Sequence, residues 1–241
     1  MARFVFFTAR QVVAIFLAAL AYFGVRGLTE GGAERAQRNA ELLVSLEERL
    51  HINVELAIQD FIADHDRLLT LANWIYIFGH WPVIIATLVW LAVTRRRNFY
   101  ELRNALFLSG AVGLVIFATW AVMPPRLFSL EYVDTVTVRS NAYRLLQPPG
   151  LINKYAALPS FHFGWNLLVG IMWIRATNSR LVKIAGVVMP AAMAFAVVAT
   201  ANHWIADVIV GGGIASAALV AQCNANRLLP HLRLPLHAQD P

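Results

Sequence analysis

Residues 182–222 read VKIAGVVMPAAMAFAVVATANHWIADVIVGGGIASAALVAQ, two apolar runs (182–201 and 203–222) meeting at the polar cluster Thr200, Asn202 and His203. A helix needs about 20 apolar residues to cross roughly 30 Å of hydrocarbon. Neither run alternates apolar with polar positions, which argues against barrel strands, and a backbone in lipid must satisfy its hydrogen bonds within its own helix. Working outward, comparable stretches fall at 4–25, 68–94, 104–123 and 156–174. The chain is therefore read as all-α, an integral membrane bundle of about six transmembrane helices with an exoplasmic amphipathic helical segment. Residues 1–66 hold the first helix and that segment. Residues 67–241 hold the helical core and a cytoplasmic tail.

Composition agrees. Of 241 residues, 59% are hydrophobic and 14% charged, which excludes disordered, collagen-like and disulfide-scaffold chains. Cys223 is the single cysteine and closes no intrachain disulfide. With so little charged surface, the net charge of +6 bears on which loops face the cytoplasm, and no nucleic-acid partner is expected. Arg95, Arg96, Arg97 and Arg103 against Glu101, and Arg175, Arg180 and Lys183 with no acid, mark two cytoplasmic loops. Residues 26–66 carry four Arg against nine acids, a net of −5, and read as exoplasmic. Both termini then face the cytoplasm, and a bacterial plasma membrane is the expected location. The first span is read as retained, although Ala19-Leu20-Ala21 also suits a signal peptidase. Leu42, Leu43, Leu46, Leu50, Val54 and Ile58 recur at helical spacing in the exoplasmic segment, as in a helix lying on the membrane or over the bundle.

Ionisable groups within apolar segments are candidates for function because each costs about 2.5–3.5 kcal/mol at a helix centre. Here they are His80, His162, His203 and Asp207. His80, beside Pro82 at an expected kink, is read as structural. The orientation puts His162 and His203 at one level, near the exoplasmic beginnings of their helices. His203 and Asp207, four apart, share a helical face, so the carboxylate can hold one ring nitrogen and leave the other to attack or to accept a proton. Thr200 or Asn202 is the expected cap of that helix. Pro159 and Ser160 mark the first turn of the helix carrying His162, and two positive helix ends converging there would favour an anion. Arg126 after Pro124-Pro125, with Arg139, Arg144 and Lys154, adds cations suited to a phosphate. At a membrane surface, that phosphate is read as a lipid headgroup. Gly211, Gly212 and Gly213 read as a packing face.

Asn153-Lys154-Tyr155-Ala156-Ala157-Leu158-Pro159-Ser160-Phe161-His162, followed by Thr200-Ala201-Asn202-His203-Trp204-Ile205-Ala206-Asp207 and Gly211, resembles the second and third signature motifs of the type 2 phosphatidic acid phosphatase superfamily. The likeness is closer to its inositol phosphorylceramide synthase-like branch. It covers roughly residues 104–222 and implies metal-independent phosphotransfer through a phosphohistidine, with no cofactor. Carried over by position, His203 is the nucleophile, Asp207 its orienting partner, His162 the acid for the leaving oxygen and Ser160 a phosphate ligand. The superfamily's first motif, a Lys followed by Arg-Pro, is reduced here to Pro124-Pro125-Arg126. The Ser-Arg that usually opens the third motif is Ala196-Val197. Phosphate neutralisation is therefore assigned to Arg126, with Arg139, Arg144 and Lys154 unranked.

The leading expectation is a lipid phosphotransferase with a phospholipid or polyprenyl-phosphate donor and a lipid alcohol as possible acceptor. Water as acceptor would make it a lipid phosphate phosphatase. A proton-coupled carrier or channel using His162, His203 and Asp207 is the alternative from another class. A metal site from the same three residues lacks Cys or His-x-x-x-His spacing.

Overall fold

The computed structural model describes residues 32–139 and 153–228, with eight helical positions between Arg10 and Gly24. Most of the expected first span and the tail after residue 228 lie outside the described residues. Among the described residues, regular structure is helical apart from one isolated bridge between Val122 and Ala156. In chain order the helices are α1 (Ala33–Arg49), α2 (Glu55–Ala63), α3 (Asp66–Phe78), α4 (Trp81–Thr94), α5 (Arg96–Thr119), the short α6 (Pro125–Phe128) and α7 (Thr135–Arg139), α8 (Phe161–Ala176), α9 (Arg180–Ala199) and α10 (Ile205–Leu228).

Three helices, α5, α9 and α10, are long and apolar enough to cross a membrane, and α3 with α4 makes a fourth candidate crossing bent by 48°. These, among the described residues, are what stands against the expected six. The bend falls at Gly79 and His80, ahead of Pro82, which sits in the first turn of α4 where a missing N–H is tolerated. The 156–174 stretch becomes helical only at Phe161, so α8 has 16 residues and spans about 24 Å. Its first residues are spent otherwise. Ala156 bridges Val122, Val122 N–H donates to Tyr155 O at 2.8 Å, and Ser160 is extended at the helix cap.

Helices in lipid associate through close packing of small residues. Gly170 of α8 and Gly186 of α9 face each other so closely that a Cβ on either would strike the other's carbonyl. A Cβ on Gly164 of α8 would strike the carbonyl of Gly211 of α10, and one on Gly211 would strike the backbone of Ser160. Gly213 has nothing within 4 Å of a Cβ position. The packing face is therefore Gly211 and Gly212, the latter against the Phe163 ring. Gly211→Ala is expected to lower the thermal midpoint in detergent, since forced overpacking costs about 1–3 kcal/mol. Gly213→Ala should leave it unchanged or raised, and equal midpoints would contradict the contact.

Ile84, Leu102, Leu168, Met172 and Ala215 form the main core between α4, α5, α8 and α10. At the basic end, buried Glu101 of α5 pairs with Arg97 at 3.1 Å and with Arg175 of α8 at 3.3 Å. At the opposite end, α1 and α2 cover the bundle. The expected amphipathic segment is thus two helices, broken at His51, which adopts φ 56°. Its buried side is Ala36, Ala40, Leu43 and Glu47, whereas Leu42, Leu46 and Leu50 are exposed.

Candidate active site

The turn from α9 to α10 carries His203. Ala201 there has φ 55°, a left-handed conformation unusual for a residue with a Cβ, and the N–H groups of Asn202 and His203 both donate to Val197 O at 3.1 Å. His203 accordingly precedes the helix, which starts at Ile205, and does not share a helical face with Asp207 as the spacing suggested. The turn still brings them together, with His203 Nδ1 3.3 Å from Asp207 Oδ2. A closer partner is Ala157 O, 2.8 Å from the same nitrogen. A carbonyl only accepts, so Nδ1 carries the hydrogen and the neutral ring keeps its lone pair on Nε2. His203 and Asp207 are both buried.

Asp207 has a second task. Its Oδ2 accepts from Trp204 N–H at 2.8 Å, closing the first turn of α10 from within. Thr200 and Asn202 do not cap this helix, contrary to expectation. Thr200 Oγ1 donates back to Ala196 O and Asn202 Nδ2 donates to Thr200 O and Oγ1. Nor does the end of α10 face the site as an anion-binding terminus. Its N–H groups at Ile205 and Ala206 donate to Glu55 Oε1 at 2.8 Å and Glu47 Oε1 at 2.7 Å.

His162, the second residue of α8, sits with its ring centroid 5.9 Å from that of His203. It stacks on Tyr76 of α3 at 4.4 Å, and His80 lies 4.4 Å away on the same ring. His80, read from sequence as structural, therefore borders the site; its Nδ1 is 3.2 Å from Asn166 Nδ2. Ser160 is tied to α10 through its backbone, its N–H donating to Asp207 O at 2.9 Å, while its buried Oγ has no hydrogen-bond partner among the described residues.

Arg126 is at the site, though not because Pro124 and Pro125 end the third span. α5 stops earlier, at Thr119, and Pro125 instead opens α6. Arg126 N–H donates to Ala201 O at 2.9 Å, Nη1 donates to Asn202 Oδ1 at 2.7 Å and Nε lies 3.4 Å from Asp134 Oδ2. A guanidinium has five N–H donors, more than these acceptors use. Lys154 is exposed in the turn before Ala156. Arg139 ends α7, but its side chain, and all of Arg144, lie outside the described residues. Ala196 and Val197, which replace the usual Ser-Arg, are fully buried and turn toward the core. Among the described residues, no group of three or more His, Cys, Asp or Glu side chains is placed to hold a metal ion.

An imidazole with its Nε2 lone pair free, a carboxylate behind it, a second histidine opposite and an arginine alongside thus lie together at one end of an apolar helical bundle. The chain belongs to the PAP2 superfamily, whose family model matches residues 41–221. No curated protein and no solved structure matches it significantly. Superfamily membership points to an enzyme, a phosphatase or phosphotransferase of lipid phosphates.

Proposed function

We propose that the protein is a membrane lipid phosphotransferase working through a phosphohistidine on His203, with the site at the exoplasmic face and both termini in the cytoplasm of a bacterial plasma membrane. The observation that carries this reading is His203 held through Nδ1 by Ala157 O and Asp207, with His162 facing it. His203 Nε2 attacks the phosphorus of a phospholipid or polyprenyl phosphate. The bond to the leaving oxygen breaks, and that oxygen takes a proton from His162. His162, now neutral, accepts the proton of an acceptor hydroxyl, whose oxygen attacks phosphorus and breaks the P–N bond. A lipid alcohol as acceptor gives transfer, in keeping with the inositol phosphorylceramide synthase-like motifs; water gives hydrolysis. Ser160 Oγ and Arg126 stabilise the equatorial oxygens, with Lys154, Arg139 and Arg144 as further cations for the headgroup. No step uses a metal ion.

The deciding experiment supplies reconstituted protein with labelled phospholipids and polyprenyl phosphates, with and without alcohol acceptors. Label moving to the alcohol supports transfer, and label released as phosphate supports the phosphatase. Proton-coupled flux without either product would overturn both. Within this reading, Arg126→Ala should lower kcat/KM by roughly 10²–10³-fold, as for loss of one transition-state donor. Arg126→Lys should recover part of it, because an ammonium lacks the planar fork. Equal kcat/KM for Ala and wild type would remove Arg126 from the site.

A further inference from the structure

The first three N–H groups at the start of α10 each meet a carboxylate oxygen. Trp204 N–H donates to Asp207 of the same helix, but Ile205 and Ala206 donate to Glu55 and Glu47, which come from α2 and α1 outside the bundle. Both glutamates are fully buried, at 0% exposure, and their second oxygens, Glu47 Oε2 and Glu55 Oε2, have no hydrogen-bond partner among the described residues. Buried carboxylates are seldom left so, because each unpaired charge is costly. A proton on Glu47 allows a side-chain hydrogen bond to Glu55 and relieves the crowding of charge at the positive end of α10.

We propose that Glu47 and Glu55 are positioning residues for the reaction at His203: a carboxyl pair that reaches in from the exoplasmic helices and fixes the first turn of the helix behind the site. This rests on the phosphotransfer reading above. The lever is short. His203 precedes Trp204 directly, and Asp207 backbone O holds Ser160 N–H, so a shift of this turn moves the nucleophile and the phosphate-binding serine together. The groups acting on Glu47 are Glu55 on α2 and Asp207 on α10, the latter paired with His203 of the preceding turn, and Tyr132, beside Glu131, feels both glutamates. Burial first, then the charges of Glu55, Glu47 and Glu131, push its hydroxyl up to about 12.

Burial, opposed by the Ala206 hydrogen bond and reinforced by the charge of Glu55, raises the Glu47 acid from 4.5 to about 8. The native state therefore keeps a proton that the unfolded chain has lost. That contribution to stability is whole below about pH 4.5, declines above it and is gone once pH has risen through about 8.

The test is hydrogen exchange over residues 203–210 of the full chain in detergent from about pH 6 to 10, corrected for the intrinsic rate, with hydrolysis of labelled phosphatidic acid measured in parallel. Protection in wild type should fall as pH rises through about 8. Glu47→Gln, which mimics the protonated acid, should keep protection and activity across that range. Glu47→Ala should lose protection at every pH and lose kcat by up to about 100-fold, as for misplacement by about 1 Å, with KM nearly unchanged. Wild-type protection independent of pH, or identical profiles for wild type, Glu47→Gln and Glu55→Gln, overturns the proposal even if Glu47→Ala does not fold. Failure of wild type to hydrolyse phosphatidic acid counts against that donor alone, since the exchange arm decides the pair without turnover.

Discussion

His203→Ala is expected to abolish phosphate transfer and to leave no acid-labile phosphoenzyme when the protein is mixed with labelled donor and quenched. Nε2 of His203 carries the lone pair because Ala157 O, an acceptor only, holds the hydrogen on Nδ1. Without that nitrogen no covalent intermediate forms, and neither His162 nor Arg126 replaces it. The geometry also separates this variant from Asp207→Asn. Asp207 is the more distant of the two Nδ1 partners, 3.3 Å against 2.8 Å. Its replacement should leave the tautomer in place and reduce kcat well short of the roughly 10⁴-fold loss found where a carboxylate alone sets it. Near wild-type activity in His203→Ala would sink the covalent route. A loss in Asp207→Asn as complete as in His203→Ala would show that the Ala157 carbonyl does not hold the ring.

The second large effect belongs to His162. Loss of a positioned general acid removes roughly 10²–10⁴ in rate, and His162→Ala should fall in that range for a lipid donor whose leaving alkoxide must be protonated. An aryl phosphate releases a stabilised phenolate that needs no proton. The same variant should therefore lose far less with the aryl ester, and the phosphoenzyme should accumulate because its breakdown still lacks a base. An equal loss with both donors would place His162 in binding rather than proton transfer. The ring lies 5.9 Å from that of His203 and is stacked on Tyr76, which fixes its plane.

Much of the site follows from local rules. Pairing of His203 with Asp207 needs only their spacing, and it survives although His203 turned out to lie ahead of the helix. The motif around Ser160 and His162 puts both at the start of α8. Arg126 reached the site by another route than expected, through Ala201 O and Asn202, because α5 ended before the prolines. Thr200 and Asn202 were natural caps by residue type, but Asp207, Glu47 and Glu55 took the N–H groups first. Glu47 and Glu55 are two of the nine acids in a segment of net negative charge. Glu47 falls at helical spacing from Ala36, Ala40 and Leu43, but a carboxylate gives no signal that it will be buried, and Glu48 beside it is exposed.

The sequence by itself determined the continuous apolar runs, hence helices, and the order of the two histidine motifs along them. Those are properties of period and composition, and lipid enforces them by penalising any backbone group left unpaired. Only the tertiary structure decided which groups meet. A backbone carbonyl such as Ala157 O has no residue type to announce it, and the contact of Gly211 with Ser160 depends on how closely two helices approach. The acids that cap α10 arrive from helices on the far side of the chain. The N–H groups of that first turn had to be satisfied by something, but nothing local names the partner.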